Sequence, residues 1–206
     1  MTDNNIPKTY DFRDNSTQYT VTIRNDLGLS NGMPPVEPDK FNFIHTWLVI
    51  TKCDNAGNPI EETAISFHSA APKASPDGGG IFGDAELEPG DALGDRRVTE
   101  EFIFNISESD YEKLTAVNEP DHQRAVEKFI FDSGWTKYSI SPQDSYEKGV
   151  NCTFVTVNLL EHYLGINVFI DCLTPMDIST RFFVNAGMAL MFLKAQNPGE
   201  LKFDLP

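Results

Sequence analysis

Two periodicities divide the chain, alternation in its first half and helical spacing in its second. Residues 17–25 alternate, with Tyr19, Val21 and Ile23 on one side and Gln18, Thr20, Thr22 and Arg24 on the other, which predicts a half-buried strand. A second strand is expected over 41–51, where Trp47, Val49 and Ile50 lie, and a third over 62–69, with Ala64, Ile65 and Phe67. Between them, Asp54, Asn55, Ala56, Gly57, Asn58 and Pro59 are strong turn formers, so the two strands read as a hairpin. Centring that hairpin between Ala56 and Gly57 sets His45 opposite His68 on the same side of the sheet. Residues 70–94, with three glycines at 78–80, read as a long loop, and 98–106 as another strand.

Helical signals take over from there. Ser107 with Asp110 resembles a capping box and opens a helix to about 117. Pro120 opens a second helix to about 131, before Ser133 and Gly134, and 135–140 is extended. A third helix starts at Cys152, where Val155, Leu159, Leu160 and Tyr163 form its apolar face, and Gly165 closes it. A strand over 166–170 and a helix from Thr174 and Pro175 to about Gln196 complete the chain. Strands followed by helices predict one α+β domain over residues 1–206, with a mostly antiparallel sheet.

Charge and composition narrow the chemistry. The formal net charge of −15 is spread along the 206 residues, and no Lys/Arg block exists. Nucleic acid and anionic membrane surfaces are therefore not expected partners. The first residues lack the basic start and apolar stretch of a signal peptide, and no window approaches the roughly 18 apolar residues of a membrane span. Synthesis in the cytoplasm without membrane insertion is the expectation. Three cysteines with no paired spacing argue for a reducing compartment over a disulfide framework.

The candidate chemistry centres on Cys152. At a helix start, unpaired amide N–H groups and the positive end of the dipole favour thiolate over thiol. Because the net charge opposes ionisation, any activation of this sulfur must be local. Cys152 shares the apolar face of its helix, so it points toward the sheet. His45 is then the candidate base, taking the thiol proton and returning it to a leaving group. His68, or another polar group from that strand, is the candidate to orient the His45 ring. Helix-start N–H groups, with Asn151 or Tyr138 as additional donors, are candidates to hold an oxyanion. Cys53 and Cys172 read as small buried hydrophobes, and His122 and His162 as surface residues. Zinc accepts His45, His68 and Cys152 as ligands, but no close-spaced pair such as CxxC or HxxxH supports a metal site. The reading requires no cofactor.

These pieces resemble the permuted, NlpC-type branch of the papain-like cysteine hydrolases. The matching runs are Ile44 to Ile50 with His45, Ile65 to His68, and Tyr138 to Ile140 leading to Asn151, Cys152, Thr153, Phe154 and Val155. The Asn-Cys-x-x-Phe/Val pattern is similar to that of lecithin:retinol acyltransferase-like proteins and bacterial permuted relatives. The resemblance covers roughly 40–170. It implies a papain-like fold and a thiol hydrolase working through an acyl-enzyme, with Cys152 as nucleophile, His45 as base and His68 as third member. It departs from the lipid-acyltransferase members in its longer hairpin and in the Gly/Pro-rich insert after His68. Many bacterial relatives cleave peptide bonds of peptidoglycan, and some are type VI secretion toxins, which need no signal peptide. The resemblance therefore implies a peptidoglycan amidase or endopeptidase, delivered by a signal-independent route, with an immunity or delivery protein as partner. Competing expectations are a lipid acyltransferase or lipase, a deubiquitinase-like protease, and a non-catalytic binding module of the same shape.

Overall fold

A computed structural model of the chain describes residues 6–13, 17–27, 45–69, 82–87, 98–115, 125–139, 149–166 and 171–180. Its strands are β1 Lys8–Asp11, β2 Tyr19–Asp26, β3 His45–Cys53, β4 Pro59–Ile65, β5 Phe67–Ser69, β6 Phe82–Leu87, β7 Glu100–Asn105 and β8 Lys137–Ser139. Its helices are α1 Glu108–Thr115, α2 Ala125–Asp132 and α3 Cys152–Leu164, with one more helical segment over 175–180. Five strands form a sheet in the order β1-β7-β2-β3-β4, and three form another in the order β5-β6-β8. Only β1 and β7 pair in parallel among the described strands. The content is mixed α+β, as strand runs followed by helical periods predict.

The β3–β4 hairpin takes the expected register. Pairs run from Leu48↔Ile65 to Lys52↔Glu61, and a bulge at Lys52/Cys53 adjusts the strands to the turn. The turn is built by Asp54, whose Oδ1 accepts from the N–H groups of Ala56 (2.8 Å) and Asn58 (2.9 Å). Gly57 supplies the positive φ of 83° that the reversal needs.

Beyond Ile65 the expectation of one strand over 62–69 fails. The chain splits there into β4 and β5, with Ser66 between them, and β5 joins β6 in the smaller sheet. In the β5–β6 ladder His68 is registered against Glu86, and the β3–β4 ladder stops before it would reach His45. The strand β6 itself falls inside the segment read as a loop, because Gly-rich neighbours mask its short alternation. Strand β2 is buried on both faces instead of one, with Thr20 and Thr22 covered as well as Val21 and Ile23.

The helices match expectation where they are described. Ser107 accepts from the Asp110 N–H (3.1 Å) and its hydroxyl donates to the Asp110 carboxylate (2.7 Å), which caps α1. Helix α2 is described from Ala125, and Pro120 lies outside the described residues, as do 167–170 and the expected helix beyond residue 180. Helix α3 ends at Gly165, with φ 64°, whose N–H donates to Glu161 O (3.0 Å) while the Ile166 N–H donates to Leu160 O (3.1 Å). This double bond pattern is the left-handed cap that glycine permits. Among the described residues no helix is long and apolar enough to cross a membrane.

One sheet face carries the core. Val21, Ile23, Leu48, Ile50, Ile65 and Phe102 meet Leu114 of α1, Val126 and Ile130 of α2, and Val155, Leu159 and Leu160 of α3. Strand alternation places Trp47 and Val49 on the other face, where Ala64 and Val98 pack against them. This division of faces decides where each candidate side chain lies.

Candidate active site

Helix α3 begins where the sequence places it, and the cap explains why. Asn151 is extended (φ −108°, ψ 175°), and its Oδ1 accepts from the Phe154 N–H at 2.8 Å. Its Nδ2 donates to Leu173 O at 2.7 Å, tying the helix start to the segment that leads into 175–180. Both ends of the amide are thus engaged in architecture, as a cap and a brace, and one N–H of Nδ2 takes part in neither bond. Cys152 is the first helical residue.

The start of α3 is fastened to the sheet through polar groups. Glu100 of β7, Asn25 of β2 and Thr46 of β3 stand side by side across the core face. Thr46 Oγ1 donates to Asn25 Oδ1 (2.9 Å) and accepts from Thr153 Oγ1 (3.3 Å), while Thr156 Oγ1 reaches Thr46 O (3.5 Å). At the other end of the row, Ser179 donates to the Glu100 carboxylate, and Asn25 Nδ2 donates to Pro175 O at 3.4 Å. Glu100, Asn25 and Thr46 are buried, and so are Thr153 and Ser179 at either end. Satisfied polar groups in a low-dielectric setting fix geometry firmly, because breaking one bond strands its partner. Burial and then the nearby Glu100 charge push the Tyr10 phenol above its ordinary value.

That row seats Thr153 on Thr46, so the residues that follow Cys152 and His45 in sequence touch one another. The two candidates are therefore brought to the same corner of the sheet. They do not share a face. Thr46 meets α3, and alternation puts the His45 ring on the other side, 5.6 Å from the Trp47 ring and roughly parallel to it. There His45 Nε2 lies 2.7 Å from Ser66 Oγ. Asp26, buried, is its direct partner across the β2–β3 ladder. Exposure is small throughout: 3% for Cys152, 3% for His45 and 1% for Ser66.

Compared with known proteins, the chain matches no family model, no curated protein and no solved structure. Its site must speak through its own residues.

The other residues singled out from sequence are more scattered. His68 is half-buried in β5, and its sheet partner is Glu86, not His45. Tyr138 lies in β8 opposite Gly83, and its side chain is outside the described residues. Cys53, Cys152 and Cys172 are all buried and form no disulfide with one another. His162 is exposed and stacks on Phe129 with centroids 4.0 Å apart, and His122 is outside the described residues. Among the described residues no cluster of three or more His, Cys, Asp or Glu could hold a metal ion.

Sequence reasoning missed Ser66 and the row of Glu100, Asn25 and Thr46. A signal for Ser66 was present. Ile65 and Phe67 are both apolar, so in extended chain Ser66 shares the opposite side with His68, one step nearer the ladder's end. For the row, the signal was three polar residues at core-facing parity, Asn25 after Val21 and Ile23, Thr46 before Leu48 and Ile50, and Glu100 before Phe102.

Proposed function

We propose that the chain is a papain-like cysteine hydrolase that cleaves peptide-type amide bonds through an acyl-enzyme on Cys152. The observation that carries this reading is the seat of α3. A cysteine at the first position of a capped 13-residue helix is docked, through Thr153 and Thr46, beside the strand end that bears His45. In this mechanism His45 takes the thiol proton, and the thiolate attacks the amide carbonyl. The imidazolium returns its proton to the departing amine. A water molecule, deprotonated by His45, then splits the thioester to release the acid and restore the thiol. Backbone N–H groups of the first turn are the donors placed for the oxyanion. His45 must present a ring nitrogen past the end of β3, its first residue, for the transfer to occur. The peptide stems and cross-links of peptidoglycan are the proposed substrate, with delivery as a secreted effector.

The test is the pH dependence of Cys152 alkylation. A thiolate–imidazolium pair reacts well below the free-thiol pKa of about 8.5, and His45→Ala returns the profile to that of an ordinary thiol. Wild-type protein incubated with purified peptidoglycan should release peptide-containing fragments, and Cys152→Ala should release none. Equal release by Cys152→Ala removes the nucleophile.

One observation favours a second reading, a non-catalytic module of the same shape. Cys152 is buried and the His45 ring is held at Ser66, which suits a packed thiol as well as a reactive one. Under that reading alkylation is slow at neutral pH and indifferent to His45→Ala.

A further inference from the structure

We infer that Ser66, and not His68, is the residue that orients His45, by accepting the Nε2 proton and so assigning Nδ1 to the exchange of a proton with the thiol. This deepens the reading of Cys152 and His45 given above and rests on it. The geometry is a 2.7 Å contact between His45 Nε2 and Ser66 Oγ, with both residues buried. An imidazole that must move a proton at one nitrogen needs its other nitrogen fixed by a partner, because that bond decides the tautomer. Ser66 stands at the junction of β4 and β5, where the β3–β4 ladder has ended at Ile65 and the chain turns to a different sheet. From that junction its hydroxyl reaches back to the first residue of the strand that β4 has left.

Burial separates two uses of the same contact. The contact of Ser66 with His45 is also that of a serine nucleophile with its base. A nucleophile has to be met by substrate, and Ser66 is 1% exposed. A positioning hydroxyl works best when water cannot compete for the ring, and the Trp47 indole lies 5.6 Å from the imidazole on that side. On His45's side of the sheet stand Asp26, its direct partner in β2, and Arg24 beside it, while Cys152 begins the helix docked on the opposite face. The Ser66 oxygen favours the imidazolium, since a hydrogen bond to a charged donor is stronger than to a neutral one.

The experiment begins with the tautomer of the wild-type ring. A long-range proton–nitrogen spectrum of the wild-type protein above pH 8 is expected to show the neutral His45 ring protonated at Nε2, its signals assigned by their loss in His45→Gln. Ser66→Ala should then lower the ring's titration midpoint and move the low-pH limb of Cys152 alkylation upward, each by about one pH unit. Ser66→Thr, which keeps the hydroxyl, should restore both, and His68→Gln should leave both unchanged. An Nδ1-protonated ring, a His45 midpoint indifferent to Ser66→Ala, or labelling of Ser66 by a fluorophosphonate would overturn the inference. Failure of the thiol reading is seen separately, as an alkylation profile that His45→Ala does not alter, while the tautomer of His45 still reports on Ser66.

Discussion

Asn151→Ala should loosen α3 at the end where Cys152 sits, and the size of the effect follows from two bonds. The side chain accepts from the Phe154 N–H at 2.8 Å, and loss of such a cap costs about 1 kcal/mol, within a range of about 0.5–2. It also donates to Leu173 O at 2.7 Å, and removing that donor adds about 1 kcal/mol more. The sum, about 2 kcal/mol, is a large part of the roughly 5–15 kcal/mol that separates folded from unfolded chains. With a urea slope of about 2 kcal/mol per molar, the midpoint should fall by about 1 M, read by far-ultraviolet circular dichroism. Asn151→Ser keeps a capping oxygen but loses the bridge to Leu173, so it should fall by about half as much. Asn151→Asp keeps the acceptor, turns a carboxylate toward Leu173 O, and sets a negative charge beside Cys152, so it should also slow alkylation. A midpoint for Asn151→Ala within about 0.2 M of wild type, or equal to that of the serine variant, would refute the cap-and-brace account.

Other expectations come from equally local geometry. Gly165→Ala forces a side chain into φ 64° at the end of α3 and should cost about 1 kcal/mol in the same urea assay, while Gly165→Asn should cost less. Thr46→Val keeps the shape but removes the hydroxyl between Asn25 and Thr153, so a loss of about 1–3 kcal/mol is expected, together with slower thiol alkylation as α3 loses its seat. The Tyr19 hydroxyl donates to Glu108 at 2.6 Å, and that bond, ahead of other causes, pushes its phenol up to about 12. A phenol held protonated in the fold contributes stability below pH 10 that is lost as pH rises toward 12. Ultraviolet titration should therefore show Tyr19 ionising late, and Glu108→Gln should lower its midpoint.

Much of the architecture is legible in the sequence because local chemistry and pattern agree there. Asp54 and Gly57 fix one turn, and the register of β3 against β4 follows by counting outward from it. Ser107 with Asp110 starts α1, and Asn151 with Gly165 brackets α3. Where reading fails, tertiary context has overruled the local signal. Strand β6 is short and flanked by glycines, so only its partners β5 and β8 reveal it. The double burial of β2 depends on what packs over each face of its sheet, which no window of sequence contains.

The site shows the same limit at finer scale. Counting from the turn sets His45 opposite His68, and the count is right for five pairs, from Lys52 with Glu61 to Leu48 with Ile65. It then meets a junction, where β4 gives way to a strand paired elsewhere, and Ser66 lies at a ring nitrogen of His45. Parity survives the break although pairing does not, since Ile65 and Phe67 both remain in the core. A polar residue of the right parity was therefore available one step before His68, where the ladder ends. The polar row of Glu100, Asn25 and Thr46 works on the other face. It draws α3 down at Thr153, and so fixes how near the sulfur of Cys152 comes to the strand end where His45 begins. Changing Thr46 should thus disturb the thiol without touching the His45 ring, while changing Ser66 should disturb the ring first and the thiol through it.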